Sequence, residues 1–146
     1  IYYSCGVPKS ELDRASKQIE PRYDASVLML KYADRDILYK RIEKRVDMMI
    51  AEGLLEETRA LMEEGVFEKN GTAAQAIGYK EMLGYVRGEM SLSVARERLI
   101  IATRQYAKRQ VTWFGAKNYI ETVELNSALS DPTEVLCQKI TDWLDN

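Results

Sequence analysis

The feature that most constrains the fold is a short apolar run, Ala25–Ala33 (ASVLMLKYA), with polar residues on both sides. A continuous apolar segment of this length is typical of a strand that is buried on both faces, as in a parallel sheet. A second strand-like segment, Tyr119–Leu125 (YIETVEL), follows about ninety residues later. Because neither run has an obvious partner nearby and two strands alone are marginal, we predict that both join a sheet begun upstream, in a larger α/β protein.

Helical patterns fill the sequence between the two strands, with Gly53, Gly65 and Gly88 as end signals. The predicted helices run from Asp34 or Asp36 to about Ile50, from Leu54 to Glu64, from Ala73 to Val86, from Ser91 or Ser93 into the basic segment below, and from Asp131 with Pro132 to Leu144. We expect a loop over Val66–Gly71, a short helix after Ser10, and the last turn of a helix over Ile1–Cys5.

The segment Thr103–Gly115 (TRQYAKRQVTWFG) places cations and aromatic residues on one predicted helix. Between Thr72 and Lys117 there are eight Lys or Arg against three Asp or Glu, whereas the rest of the chain has 13 against 20. At 100° per residue the helix has an apolar stripe (Leu92, Ala95, Leu99, Ala102, Tyr106 and Trp113) and a polar stripe (Arg98, Gln105, Arg109 and Thr112). A helix with one packed and one cationic face is suited to binding a polyanion, although a merely solvated basic helix has the same composition.

Missing residue types exclude several kinds of chemistry. The chain has no histidine, which excludes His-activated nucleophiles and His-containing zinc sites, and it has neither a P-loop nor a G-x-G-x-x-G pattern. No apolar run reaches the ~20 residues of a membrane span, and the start has no signal-peptide pattern. Cys5 and Cys137 match no metal or redox spacing, so we expect free thiols, no metal site in this chain and a cytoplasmic location.

Several blocks of sequence carry a resemblance to a known family. They are AQAIGYKEM (Ala74–Met82), TRQYAKRQVTWF, RDILYKRIEKRVDMMIAEGLLEETRAL (Arg35–Leu61) and IYYSCGVPKSEL at the start. In this order and spacing they resemble the C-terminal half of the tRNA dimethylallyltransferases, also called tRNA isopentenyltransferases. The resemblance extends to about Tyr119, and the last strand and helix are more generic.

The resemblance implies a P-loop kinase-like α/β core with an inserted helical domain. Residues 1–34 would end a core segment with one strand, residues 35–118 would be the helical tRNA-binding region, and residues 119–146 would return to the core. The implied reaction moves a dimethylallyl group from dimethylallyl diphosphate to N6 of the adenosine 3′ of the anticodon, with Mg²⁺ assisting. The family's P-loop and its aspartate base would precede Ile1, in a missing N-terminal half of the same protein, so we expect no catalytic residue in this chain.

Carried over by motif, two segments would contact the tRNA anticodon stem-loop. They are Gln75, Ala76, Ile77, Gly78, Tyr79, Lys80, Glu81 and Met82, followed by Lys108, Arg109, Gln110, Val111, Thr112, Trp113, Phe114 and Gly115. We expect Lys80, Lys108 and Arg109 to meet phosphates and Gln75 to read a base edge.

The other residues of these segments have different expected roles. Gly78 would let the RNA come close to the backbone. Tyr79 and Trp113 are expected to pack in the core rather than to stack on bases, and Val111 and Phe114 are expected to be structural.

Four arginines are candidates for binding the diphosphate. Arg35 follows the first strand directly, where ligands of open α/β sheets gather, and a guanidinium can bind a diphosphate bidentately. The others are Arg104, Arg41 and Arg45. For Arg41 and Arg45 the alternative is ion pairing along the helix with acids such as Glu43 or Asp47.

Two other classes of protein fit the same residues. A non-enzymatic helical module that binds RNA or protein would use the same basic helix, and an upstream P-loop followed by an aspartate would distinguish the enzyme from it. A dimerisation surface fits less well, because the helices offer no long uninterrupted heptad seam.

Overall fold

The computed structural model describes residues 6–16, 23, 25–125 and 132–144. The elements are α1 (Lys9–Ser16), β1 (Val27–Tyr32), α2 (Arg35–Ala51), α3 (Leu54–Glu63), α4 (Val66–Lys69), a 3₁₀ turn (Ala73–Gln75), α5 (Tyr79–Val86), α6 (Leu92–Gly115), β2 (Ile120–Leu125) and α7 (Pro132–Leu144). The predicted helical turn at Ile1–Cys5 and the predicted cap Asp131 lie outside the described residues.

The two strands pair with each other in parallel, from Val27 opposite Ile120 to Tyr32 opposite Leu125. Both strands lie where the apolar runs predicted them. The larger sheet begun upstream stays a prediction, but the pairing of the two strands with each other was not foreseen. The helices between them form the crossover that a parallel pair requires. Along the chain this partner is distant, but in space it is adjacent.

The helices between the two strands pack around an apolar core. Its buried members come from α2 (Ile42, Val46), α3 (Leu54), α5 (Met82) and α6 (Ala95, Leu99, Ile100). The predicted start of α2 is confirmed, because Asp34 caps it by accepting a hydrogen bond from the Asp36 N–H at 2.8 Å. Apolar residues at helical spacing therefore identified the core face of the first half of α6.

Two local predictions between α3 and α6 were wrong. The expected loop after Gly65 contains the single turn α4, which forms around the buried Phe67. The expected continuous helix from Ala73 to Val86 is interrupted, because the 3₁₀ segment ends at Gln75 and Ala76 is extended, with a ψ of 136°. Gly78 then precedes α5 with a φ of 110°, which only glycine adopts readily.

The long helix α6 extends beyond the elements that pack on it. Its 24 residues span ~36 Å, whereas the eight residues of α5 span ~12 Å. Ala95 and Leu99 are buried as predicted, but Tyr106 is 48% exposed and Trp113 is 57% exposed. The predicted burial of the apolar stripe was therefore wrong at the C-terminal end of α6, where Tyr106 and Trp113 lie. Arg98, Gln105, Arg109 and Thr112 are exposed, as the polar stripe predicted.

The start of α6 yields a stability prediction that separates its two candidate caps. Ser91 Oγ accepts a hydrogen bond from the Val94 N–H at 3.3 Å. Replacing Ser91 with alanine should lower the free energy of unfolding by about 1 kcal/mol, because a helix N–H loses its partner. Ser93→Ala is the matched control, since Ser93 lies inside α6, and it should change little. Urea unfolding of the full-length protein measures both, and equal effects would contradict the assignment of Ser91 as the cap.

Candidate nucleic-acid interface

The C-terminal end of α6 exposes cations beside aromatic rings. We call Tyr106, Lys108, Arg109, Thr112 and Trp113 the α6 tip, and all five residues are exposed. The Arg109 guanidinium lies 5.9 Å from the centre of the Tyr106 ring. Among the described residues, neither Lys108 nor Arg109 forms an ion pair with an acid. The tip therefore presents positive charge that no acid of the described residues compensates with an ion pair.

Trp113 is accessible at this tip and is not the core anchor that its position on the apolar stripe predicted. The Lys117 Nζ lies 4.6 Å from the centre of the indole, and Phe114 packs against it edge-on at 4.9 Å between ring centres. Its neighbours Phe114 and Val111 face the sheet instead, where they line a cavity of about 270 Å³ with residues of β1. Phe114 is nevertheless 36% exposed, so the structural role expected for Val111 and Phe114 stays a prediction.

The first predicted segment forms the turn that leads into α5. Gln75, Ala76, Ile77 and Lys80 are exposed, whereas Gly78 and Met82 are buried. The Gly78 N–H donates to Glu81 Oε2 at 3.0 Å, so Glu81 caps α5 from within. A side chain at Gly78 would point toward Leu54 and Met49, each 3.9 Å from the place that its Cβ would occupy. Backbone conformation therefore accounts for this glycine without a ligand.

Tyr79 packs rather than protruding, in line with its expected role. Its ring centre lies 5.6 Å from that of Phe67, and its hydroxyl donates to Glu57 Oε1 at 2.7 Å. The hydrogen bond to the Glu57 carboxylate raises the pKa of the Tyr79 hydroxyl, because that carboxylate favours the protonated phenol. Tyr79 thus links α5 to α3.

Two ion pairs join α2 to α6 along one side of the contact. Arg96 donates to both carboxylate oxygens of Asp47, at 2.6 and 2.9 Å, and this pairing lowers the pKa of Asp47 and raises that of Arg96. Further along the contact, Arg104 donates to Glu43. The residue that comes later in α6 pairs with the residue that comes earlier in α2, so the two helices are antiparallel.

The four candidate arginines do not converge on one point. Arg35 is the exposed first residue of α2. Arg104 lies 4.5 Å from the centre of the Tyr39 ring, and its Nε is buried without a hydrogen-bond partner. Arg41 lies 5.6 Å from the centre of the Tyr32 ring.

The ion pairs suggested for Arg41 and Arg45 along their own helix were wrong. Glu43 and Asp47 face α6 and bind its arginines, whereas Arg41 and Arg45 border a different surface of α2. Sequence reasoning also missed Tyr39 and Glu43 as the residues that hold Arg104. The spacing of these two residues could have indicated this role, because they lie four residues apart on α2 and therefore share a helix face.

Absences among the described residues limit the chemistry. In the ranges that the structure describes, no group of three or more His, Cys, Asp or Glu is arranged to hold a metal ion. None of the helices described combines the length and apolar character needed to cross a bilayer. The described Cys137 is a free, exposed thiol.

Comparison with known proteins gives consistent matches. The family model described as IPP transferase matches residues 1–117. A tRNA dimethylallyltransferase of Desulforamulus reducens is 44% identical over 147 residues, which cover 99% of this chain and 51% of that relative. One from Caldanaerobacter subterraneus subsp. tengcongensis is 43% identical over 122 residues, covering 83% of this chain and 38% of the relative.

Two solved structures share the fold. The crystal structure of a tRNA delta(2)-isopentenylpyrophosphate transferase from Staphylococcus epidermidis is 35% identical, with a TM-score of 0.74 over 99% of this chain and 45% of that one. The full-length tRNA isopentenylpyrophosphate transferase from Bacillus halodurans is 30% identical, with a TM-score of 0.74 over 98% of this chain and 47% of that one.

The fold and the surface together define a mostly helical part of an α/β protein that carries an exposed cationic helix end. The predicted fold class is thereby confirmed. The chain belongs to the IPP transferase family, as its sequence blocks predicted. It spans about half or less of the length of the relatives described above.

Proposed function

We propose that this chain is the tRNA-binding part of an enzyme that transfers a dimethylallyl group to N6 of the adenosine 3′ of the anticodon. The observation that carries the proposal is the α6 tip, where Lys108 and Arg109 are exposed beside Trp113 and form no ion pair with any described residue. The tip lies within the segment that the family model matches. The donor would be dimethylallyl diphosphate and the acceptor the anticodon stem-loop of tRNA. The names of the relatives support a tRNA acceptor and a prenyl donor, and the anticodon stem-loop is part of the proposal.

The cations of the α6 tip would hold the RNA backbone while the target adenosine leaves its stack. A base within a loop must be splayed out before its exocyclic amine can be reached, and phosphate contacts fix the register in which this happens. The exposed indole of Trp113 offers a flat face for an unstacked base. In this proposal residues 35–118 form the RNA-binding region, and residues 1–34 and 119–146 belong to a P-loop kinase-like core.

Arg35 and Arg104 are the proposed contacts of this chain to the diphosphate. Arg35 follows β1 closely, and Tyr39 and Glu43 hold the Arg104 guanidinium between α2 and α6. A magnesium ion would neutralise the diphosphate, but the described residues do not offer a set of carboxylates that fits one. We propose that magnesium binds mainly in the N-terminal half of the whole protein. We also propose a cytoplasmic location for the whole enzyme.

The proposal is tested with the full-length protein, unmodified tRNA, dimethylallyl diphosphate and magnesium. Nucleosides from the digested tRNA, analysed by mass spectrometry, should contain prenylated adenosine. A tRNA with guanosine 3′ of the anticodon is the control and should stay unmodified. Tight tRNA binding without any modified adenosine would contradict the enzyme and favour a non-enzymatic RNA-binding module.

A further inference from the structure

A groove of about 660 Å³ lies between α2 and α6, on the side away from the Arg96–Asp47 and Arg104–Glu43 pairs. We call it the α2–α6 groove. Its α2 side carries Arg41, Lys44, Arg45 and Met48, and its other lining includes Thr103 of α6 and Ile77 from the turn before α5. Through Ile77, the groove therefore adjoins the first of the two segments that we expect to contact tRNA, which begins at Gln75.

The edge of the groove is strongly cationic. Arg41, Lys44 and Arg45 all line it, and no acidic residue does. Among the described residues, Lys44 and Arg45 form no ion pair. The nearest acids on the same helix, Glu43 and Asp47, are bound to arginines of α6 and cannot neutralise this edge.

The surface beside these cations is apolar and partly open. Met48 is 43% exposed and Ile77 is 39% exposed, and the buried Leu99 lies beneath them. An ordinary solvated face would carry polar side chains at such positions. Apolar surface bordered by unpaired cations matches a ligand that is flat and apolar on one part and anionic on another.

We infer that the α2–α6 groove binds one unpaired nucleotide of the tRNA loop. Its base would lie on Met48 and Ile77, and its phosphate would bind Lys44 and Arg45. The inference rests on the proposed function and assigns it a second contact surface, distinct from the α6 tip. A nucleotide suits the volume, which lies within the range of small-molecule sites. Dimethylallyl diphosphate also has an anionic and an apolar part, but its proposed contacts, Arg35 and Arg104, do not line this groove.

The first experiment measures the salt dependence of RNA binding by the full-length protein. The probe is a synthetic anticodon stem-loop labelled for fluorescence anisotropy. Arg45→Gln should make the slope of log K against log salt shallower by about 0.7, as expected for one lost contact to single-stranded phosphate. Arg59→Gln is the matched control, because Arg59 is an exposed arginine of α3 outside the groove, and it should leave the slope unchanged.

The second experiment tests the base, using stem-loops with an abasic site at each loop position in turn. The wild-type protein should lose about tenfold in affinity at one position that occupies the groove. Met48→Ala should already bind the intact RNA more weakly and should lose its sensitivity at that same position only. This coupling would not arise if Met48 only supported the fold.

The possible outcomes separate this inference from the proposed function. An unchanged slope in Arg45→Gln, or full abasic sensitivity at every position in Met48→Ala, would overturn the groove as a nucleotide site. A loss of stability without a change in RNA binding would overturn it too, and would mean that another part of the protein covers the groove. If the wild-type protein bound no stem-loop at all, the proposed function itself would fail.

Discussion

Replacing both Lys108 and Arg109 with alanine in the full-length protein should weaken tRNA binding by about tenfold at physiological salt. Both side chains are exposed and unpaired at the α6 tip, so each would release counterions from RNA on binding. The slope of log K against log salt should become shallower by ~0.7–0.9 for each lost contact. Affinity for dimethylallyl diphosphate should stay nearly constant, because these side chains would face RNA.

Two comparisons make this test specific. Arg59→Ala combined with Arg87→Ala removes the same charge from exposed positions outside the tip and should leave tRNA affinity nearly unchanged. Arg104→Ala should instead weaken donor binding. Normal tRNA affinity in the Lys108/Arg109 variant would make the tip a solvated surface. Equal losses of tRNA and donor affinity would place it in the catalytic channel.

The 146-residue chain by itself should transfer no prenyl group. It has no P-loop to hold a diphosphate and no assigned general base, and its described residues offer no metal site. Incubation of the purified chain with unmodified tRNA, dimethylallyl diphosphate and magnesium should yield no modified adenosine, whereas the full-length protein serves as the positive control. Turnover by the pure chain would show that its own residues include a base that we have not identified.

Local patterns predicted the elements well and the contacts between distant elements poorly. The apolar run before Ala33 located β1, and Asp34 located the start of α2, because both depend on neighbouring residues. The pairing of β1 with β2 was missed, since a strand run does not indicate its partner across a long crossover. Gly78 was expected to let RNA approach the backbone, but its φ and the break between the 3₁₀ turn and α5 were not predicted.

The candidate site shows the same division. The sequence indicated that Arg109 would be exposed, because a polar stripe at helical spacing is a local property. Trp113 was misplaced because its burial depends on how far the neighbouring helices extend along α6. The partners of Glu43 and Asp47 were missed for a related reason, since they lie on α6, far along the chain. The spacing of residues within one helix encodes neither the extent of its neighbours nor the identity of its partners on a distant helix.

The single unbroken span of α6 has a consequence for which insertions and deletions the protein should tolerate. At one end Ala95 and Leu99 fix the rotation of the helix in the core, and at the other Phe114 and Val111 lie against β1. One added residue between them would turn everything beyond it by ~100° and shift it by ~1.5 Å. Length changes in this helix should therefore survive selection in steps of three, four or seven residues. The turn at Gly71, where a Cβ would meet no atom within 4 Å, should be less sensitive to such steps.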